Sequence, residues 1–344
     1  MSEIAQATGY LAGSEDITIL IASFNRSWQI LPIIDYYLDF GFYVKVAYDS
    51  ENPILLENPR LKLYRSNESY ASRCEWLSRD IKSKFAILVT DDDLFIAEAI
   101  VEMKKSLQKS VYMSIFGQAV GSWYNNGKCQ VSPAYLRFES YSNFASDASE
   151  RVLNQYTPQE ITPIGMYRLT YSRTLSRMLE LFGKLNFAST PYIYENSAEV
   201  FINYCGTSFR SFELYWIRNW DGESISNSNW DRSLSFLEWF NQDDFLEERN
   251  RWLEIIHDYC PDLDISRLTH LFESNWKREV GGDDNSIQLF SKHIRFSRRL
   301  RDFLRHRYSN YYSPHTLYRK VDWSYNPDVL DSLLNTMYLN RVIR

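Results

Sequence analysis

Three adjacent carboxylates, Asp91-Asp92-Asp93, close the apolar run Phe85-Ala86-Ile87-Leu88-Val89-Thr90. Such groups repel one another, so their clustering calls for a cation. A hard divalent ion that also bridges phosphates suits them, because Mg²⁺ typically takes one or two carboxylates plus substrate oxygens. Asp is also common in turns and at helix N-caps, so the triplet alone admits that second reading.

The run before the triplet reads as a buried strand: it is continuous, β-branched and bounded by Lys82-Ser83-Lys84. In an open α/β sheet a strand delivers the loop after it to the carboxyl edge, where such folds bind ligands. The neighbouring segments fit that arrangement. Residues 17–24 form a second buried strand and run into the polar loop Asn25-Arg26-Ser27. Residues 28–40 carry Ile30, Leu31, Ile34, Tyr37 and Leu38 at helical spacing, with Gly41 where a C-cap belongs. Strands come next at 42–48 and 61–64, then helices at 69–82 and 97–108 on either side of the acidic strand. This alternation predicts an α/β fold with a parallel, doubly wound sheet. Further on, 111–116 and 209–220 read as strands and Asn126-Gly127 as a hairpin turn, while 164–182 contains a helix-like run and 196–205 is another. Beyond Asp231 the apolar spacing is almost wholly helical, at 234–240, 245–259 and 289–304, with a break at Gly281-Gly282-Asp283-Asp284. The expected organisation is an α/β domain over 1–230 and a helical domain over 231–344.

Composition narrows the class. The chain has 344 residues, 44% hydrophobic and 24% charged, enough for one large core or two ordinary ones. A net charge of −6 gives no global reason to expect a nucleic-acid partner. Cys74, Cys129, Cys205 and Cys260 are widely spaced, which argues against a zinc site or disulfide framework and for a reducing compartment. The first residues lack a basic stretch leading into a long apolar one, and no run approaches the roughly 20 apolar residues of a membrane span. A soluble, cytoplasmic protein is expected. Aromatics reach 16%; pairs such as Trp123-Tyr124 and Tyr215-Trp216 suit either a core or a sugar-stacking surface. All five histidines, His257, His270, His293, His306 and His315, lie in the helical part. A Ser-His-Asp system built within the α/β part is therefore excluded.

Three segments, in order, resemble family 2 glycosyltransferases of the GT-A fold. Ile17-Thr18-Ile19-Leu20-Ile21-Ala22-Ser23-Phe24-Asn25-Arg26 resembles their opening strand and loop. Val44-Lys45-Val46-Ala47-Tyr48-Asp49-Ser50 resembles the second strand, whose terminal Asp contacts the nucleotide base. Val89-Thr90-Asp91-Asp92-Asp93 is similar to their DXD signature. The resemblance covers residues 15–105 and extends weakly to about 220. It implies a nucleotide-sugar donor, a UDP-sugar foremost, with Mn²⁺ or Mg²⁺. Ser23 and Asp49 would line the base, and Asn25, Arg26 and Arg73 would contact the nucleotide; a solvated helix position is the other reading of Arg73. Asp91 would bind the ribose or the metal shell, and Asp93 would hold the metal against the diphosphate. Asp92 is the middle position that a second alignment would use.

In the family a Glu-Asp pair opens a later helix and supplies the general base. Here Tyr194-Glu195-Asn196-Ser197-Ala198-Glu199 departs from it. Glu195 is then the first candidate base, Glu199 the second and Glu213 the third; a helix-opening Glu favoured by the macrodipole is the other reading. The resemblance implies inversion by a single displacement onto a glycan or lipid-linked glycan acceptor, as in bacterial surface polysaccharide synthesis. Two other functions stay open. A sugar nucleotidyltransferase shares the sheet and the acids, but Ser23-Phe24-Asn25-Arg26-Ser27 lacks the glycines of its phosphate loop. A catalytically degenerate domain could instead serve as a scaffold. The basic run at 292–307 suits peripheral contact with the inner membrane face, or packing against the acids around Asp243-Asp244.

Overall fold

The computed structural model describes residues 10–24, 27–49, 52–125, 128–134, 143–156, 165–219, 234–280, 317 and 326–342. Asn25, Arg26, the break at 281–284 and the basic run at 292–307 lie outside these.

The α/β expectation holds. β1 (Ile17–Phe24), β2 (Tyr43–Asp49), β3 (Leu61–Arg65) and β4 (Phe85–Val89) pair in parallel in the order β3-β2-β1-β4. The period of two along each strand divides the interior. Ile17, Ile19, Ile21, Phe85, Ile87 and Val89 enter one core, while Leu20, Ala86 and Leu88 enter the other. Because both faces are covered, the strands read as unbroken apolar runs.

Beyond β4 the sheet is mixed. β8 (Leu169–Tyr171) is antiparallel to β4, β6 (Ser114–Asn125) antiparallel to β8, and β9 (Ser208–Asn219) parallel to β6. β5 (Leu94–Phe95) pairs antiparallel with β9, and β7 (Lys128–Ala134) pairs antiparallel with β6. Two reversals restore direction, so β6 and β9 end on the same edge as β1, β2 and β4. The helix-like run expected within 164–182 is α5 (Ser172–Lys184); before it the chain makes a short turn at Gly165–Tyr167 and then β8. Thr170 pairs with both Ala86 and Ser114, so β8 bridges two longer strands.

Helices cover both faces. On the first lie α1 (Ser27–Asp39), α3 (Ala97–Gln108) and, through Leu330 and Leu334, α10 (Pro327–Val342). The second carries α2 (Tyr70–Ser78), α4 (Ala148–Tyr156), α5 and α6 (Tyr192–Cys205). α7 (Phe236–Asn241), α8 (Leu246–Tyr259) and α9 (Ile265–Val280) pack on that same core through Trp239, Phe240, Trp252, Ile256, Leu268 and Phe272. α1 ends at Gly41 with φ +90°, where Phe42 N–H reaches Tyr37 O at 3.1 Å and Gly41 N–H reaches Leu38 O at 2.9 Å. Tyr37 and Phe42 touch edge to face, completing a Schellman cap.

α2 stops at Ser78, short of the expected 82. The buried Lys45 ammonium donates to the carbonyls of Trp76 at 2.7 Å, Leu77 at 3.2 Å and Arg79, which closes the helix. Among the described residues no helix is long and apolar enough to cross a membrane.

Candidate active site

Strand register assembles the first part of the site. β1 and β4 align from Ile17 beside Phe85 to Ile21 beside Val89, so two residues on Ser23 stands level with Asp91. Ser23 Oγ–H donates to Asp91 Oδ2 at 2.8 Å, and Phe24 N–H donates to the same oxygen at 3.3 Å. The register of β2 sets Asp49 beside Phe24. From the first turn of α2 comes Arg73, which is buried rather than solvated. Its Nη1 donates to Glu68 O at 2.8 Å and lies 3.7 Å from Asp49 Oδ2, and its guanidinium sits 5.4 Å from the centroid of the Phe24 ring. Arg73 Nε has no hydrogen-bond partner among the described residues. Phe24 is 56% exposed, so this flank offers an open ring beside a hydroxyl, a carboxylate and a guanidinium. Ser23, Asp49, Arg73 and Asp91 therefore come together; Asn25 and Arg26 lie outside the described residues.

The three carboxylates differ. Asp91 and Asp93 are buried, while Asp92 is half-buried. Asp93 Oδ2 accepts from Trp216 Nε1 at 2.8 Å and Oδ1 from Asn219 N–H at 2.9 Å, with Arg218 Nε 3.9 Å from Oδ2. Burial, then the Asp92 charge, push the Asp93 carboxyl upward, and Arg218 pulls it back. Arg218 and Asn219 went unmarked in the sequence, and Trp216 was marked only as core or a sugar-stacking surface. The available signal was topological: a strand at 209–220 ending on the edge where the triplet lies.

The donor chemistry fits a divalent ion of modest site. Asp91 to Asp93 supply hard oxygens, and an oxygen that takes one N–H retains a second lone pair. Among the described residues no three His, Cys, Asp or Glu side chains converge on a point. A metal here would rest on one or two carboxylates, with phosphate oxygens completing its shell.

α6 precedes β9 and returns antiparallel to it, so its first turn stands at the same edge. Glu195, in that turn, makes no side-chain hydrogen bond among the described residues. Burial pushes its carboxyl up to about 8, Arg218 draws it down, and Glu199 adds to the rise. Arg218 is thus close enough to act on both Asp93 and Glu195. Glu199 is placed very differently. It is fully buried, with Oε2 accepting from Arg168 Nη2 at 2.7 Å and Oε1 from Gly165 N–H at 2.5 Å. Arg168 also donates to Ser208 Oγ at 2.7 Å and lies over Phe116. A Cβ on Gly165 would meet the Glu199 carboxyl carbon at 3.0 Å, so any larger residue would push against this carboxylate and the α6 backbone. Glu199 ties α6 to the 165–167 turn and, through Arg168, to β9.

Glu213 lies five residues before Arg218, roughly 16 Å back along the strand at about 3.3 Å per residue. Asn196 donates its amide to Tyr192 O in its own helix. Tyr215 and Trp216 are each 1% exposed and stack within the core, Trp216 lying against Phe95, which removes them as a sugar-stacking surface.

No protein-family model matches the chain, and no curated protein matches it. Among solved structures it is similar to TarS of S. aureus. A crystal structure of TarS 1–349 matches with a TM-score of 0.44 and 12% identity, covering 75% of this chain and 87% of that one. TarS 1–349 in complex with UDP-GlcNAc matches with a TM-score of 0.41 and 13% identity over the same shares. A longer TarS structure gives 0.42 and 11%, with 53% of that chain covered. Similarity at that level decides no chemistry, which rests on the side chains of the site.

Proposed function

We propose that the chain is a GT-A-type glycosyltransferase that moves a sugar from a nucleotide-sugar donor, a UDP-sugar foremost, to an acceptor hydroxyl. The observation that carries the reading is the convergence on one sheet edge of a nucleotide-type flank (Ser23, Phe24, Asp49, Arg73), the acidic triplet and an unbonded, partly covered Glu195. In this reading Asp49 and Ser23 meet the base, Phe24 and Arg73 flank it, and Asp91 meets the ribose. A divalent ion held at Asp91 and Asp93 would supply Lewis-acid stabilisation of the leaving diphosphate.

Glu195 takes the proton from the acceptor hydroxyl as that oxygen attacks the anomeric carbon, and the bond to the diphosphate breaks. Glu199 is a poor alternative, because both of its oxygens are spent on buried donors. Single displacement with inversion is the outcome of one base on one face. A glycan or lipid-linked acceptor remains the proposed partner, with 292–307 as the proposed membrane-facing segment.

The test is calorimetric titration of UDP, with Mn²⁺ and again with EDTA. Saturable binding supports the reading, and loss of binding in EDTA supports the metal. If UDP, GDP and CDP all fail to bind under both conditions, the reading is overturned and the scaffold reading replaces it.

A further inference from the structure

We propose that the open edge of β3 takes up an extended segment of a partner protein as an added strand, and that this segment alternates apolar with acidic residues. The inference is independent of the nucleotide-sugar reading, because in the order β3-β2-β1-β4 two strands separate this edge from the strand that carries the acidic triplet.

The backbone comes first. β3 pairs in parallel with β2 and is the last strand on its side of the sheet. Val44 N–H donates to Arg60 O at 2.8 Å, and Ser66 N–H donates to Tyr48 O at 2.9 Å. Alternate residues of a parallel strand turn both backbone groups to the same neighbour. Arg60, Lys62, Tyr64 and Ser66 therefore serve β2, while Leu61 and Leu63 turn outward. Asn58 O takes the Leu61 N–H at 2.9 Å. The Leu61 carbonyl and both backbone groups of Leu63 have no partner among the described residues. A row of this kind is a template for one more strand.

The side chains set what that strand must be. On the α1 face Leu56, Leu61 and Leu63 are only partly buried, and with Glu57, Asn58 and Pro59 they line an open groove of about 640 Å³. Leu55, next in the chain, is 90% exposed. A strand laid along the edge puts alternate side chains over this groove, where apolar ones would remove leucine surface from water. Its other side chains fall on the α2 face beside Lys62, which is exposed and forms no ion pair among the described residues. That face suits carboxylates. Glu57, exposed in the groove lining, repels them from the first face, so the register of the alternation is fixed. A second copy fits poorly. Two β3 edges paired antiparallel about Leu63 would set their Lys62 side chains diagonally across one face, where like charges repel.

The experiment titrates short capped peptides into the full chain by calorimetry. One alternates valine with glutamate, one alternates valine with lysine, and one is the glutamate peptide methylated on its backbone nitrogens. The natural protein should bind the glutamate peptide about tenfold more tightly than the lysine one and should not bind the methylated one. Lys62→Glu should reverse the charge preference. Leu63→Pro should abolish binding, because that N–H faces outward and proline leaves the pairing with β2 intact. The proposal is overturned if the natural protein does not bind the glutamate peptide, binds both charges equally, or still binds after methylation. An unchanged preference in Lys62→Glu overturns it as well. Should circular dichroism show Leu63→Pro misfolded, the methylated peptide decides the same point. Sedimentation velocity closes the test: a dimer of the natural protein that Leu63→Pro dissociates would make a second copy the occupant and overturn the proposal.

Discussion

Two glutamates one helical turn apart show how little residue type says about role. Glu199 is enclosed with Arg168, and removing one partner of a buried ion pair leaves an uncompensated charge. Glu199→Gln should therefore cost about 3–5 kcal/mol of stability, read by urea unfolding. Glu195→Gln should behave in the opposite way. Its carboxyl, ordinarily near 4.5, is raised to about 8, so the folded chain keeps a proton that the unfolded chain releases. Stability from that group is fully present below about 4.5 and is lost as pH rises through 8. Glu195→Gln should match the natural protein at pH 4 and exceed it in melting temperature by pH 8, while transfer falls 100-fold or more. For the proposed transfer, kcat/KM of the natural protein should rise through a pKa near 8 as the base ionises. A normal acid limb near 4.5 with Glu195→Gln still active would remove Glu195 from the mechanism.

At the scale of elements, the site depends on where strands and helices stop. The acidic loop meets Ser23 because β1 and β4 are in register, and α2 presents Arg73 because its other end is anchored. That anchor is Lys45, which reaches from β2 to the last carbonyls of α2 and lies 4.2 Å from the centroid of the Trp76 ring. Lys45→Met would leave those carbonyls without their donor, at a cost of about 2 kcal/mol. It should also weaken UDP binding by loosening α2; thermal unfolding and calorimetry together check both. The apolar pattern of residues 17–24 and 85–90 was enough to recognise these strands, because a strand covered on both faces carries its signature locally. β8 was missed because three residues wedged between two strands leave no periodic trace.

For the whole molecule, the helices after residue 234 are part of the packing that holds the site. Trp252 of α8 is buried, donates from Nε1 to Ser197 Oγ of α6 at 2.8 Å, and stands edge to face with Phe240. α6 in turn carries Glu195. We expect one cooperative urea transition, with far-ultraviolet and near-ultraviolet dichroism coincident. Trp252→Ala should lower stability by about 3–5 kcal/mol and reduce activity through α6. Two separated transitions would show that the helices fold apart from the sheet.

The sequence by itself determined the local matters: which runs bury both faces, where α1 ends at Gly41, and that Asp49 and the triplet come directly after strands. Those depend on side-chain periodicity and on backbone preferences, both readable within a few residues. Tertiary structure alone decided the rest. It distinguished Glu195 from Glu199, took Tyr215 and Trp216 into the core, and brought Trp216, Arg218 and Asn219 to Asp93. Each of these depends on a partner more than 30 residues away, or on burial that closes only when distant strands pair, and no local pattern encodes such a contact.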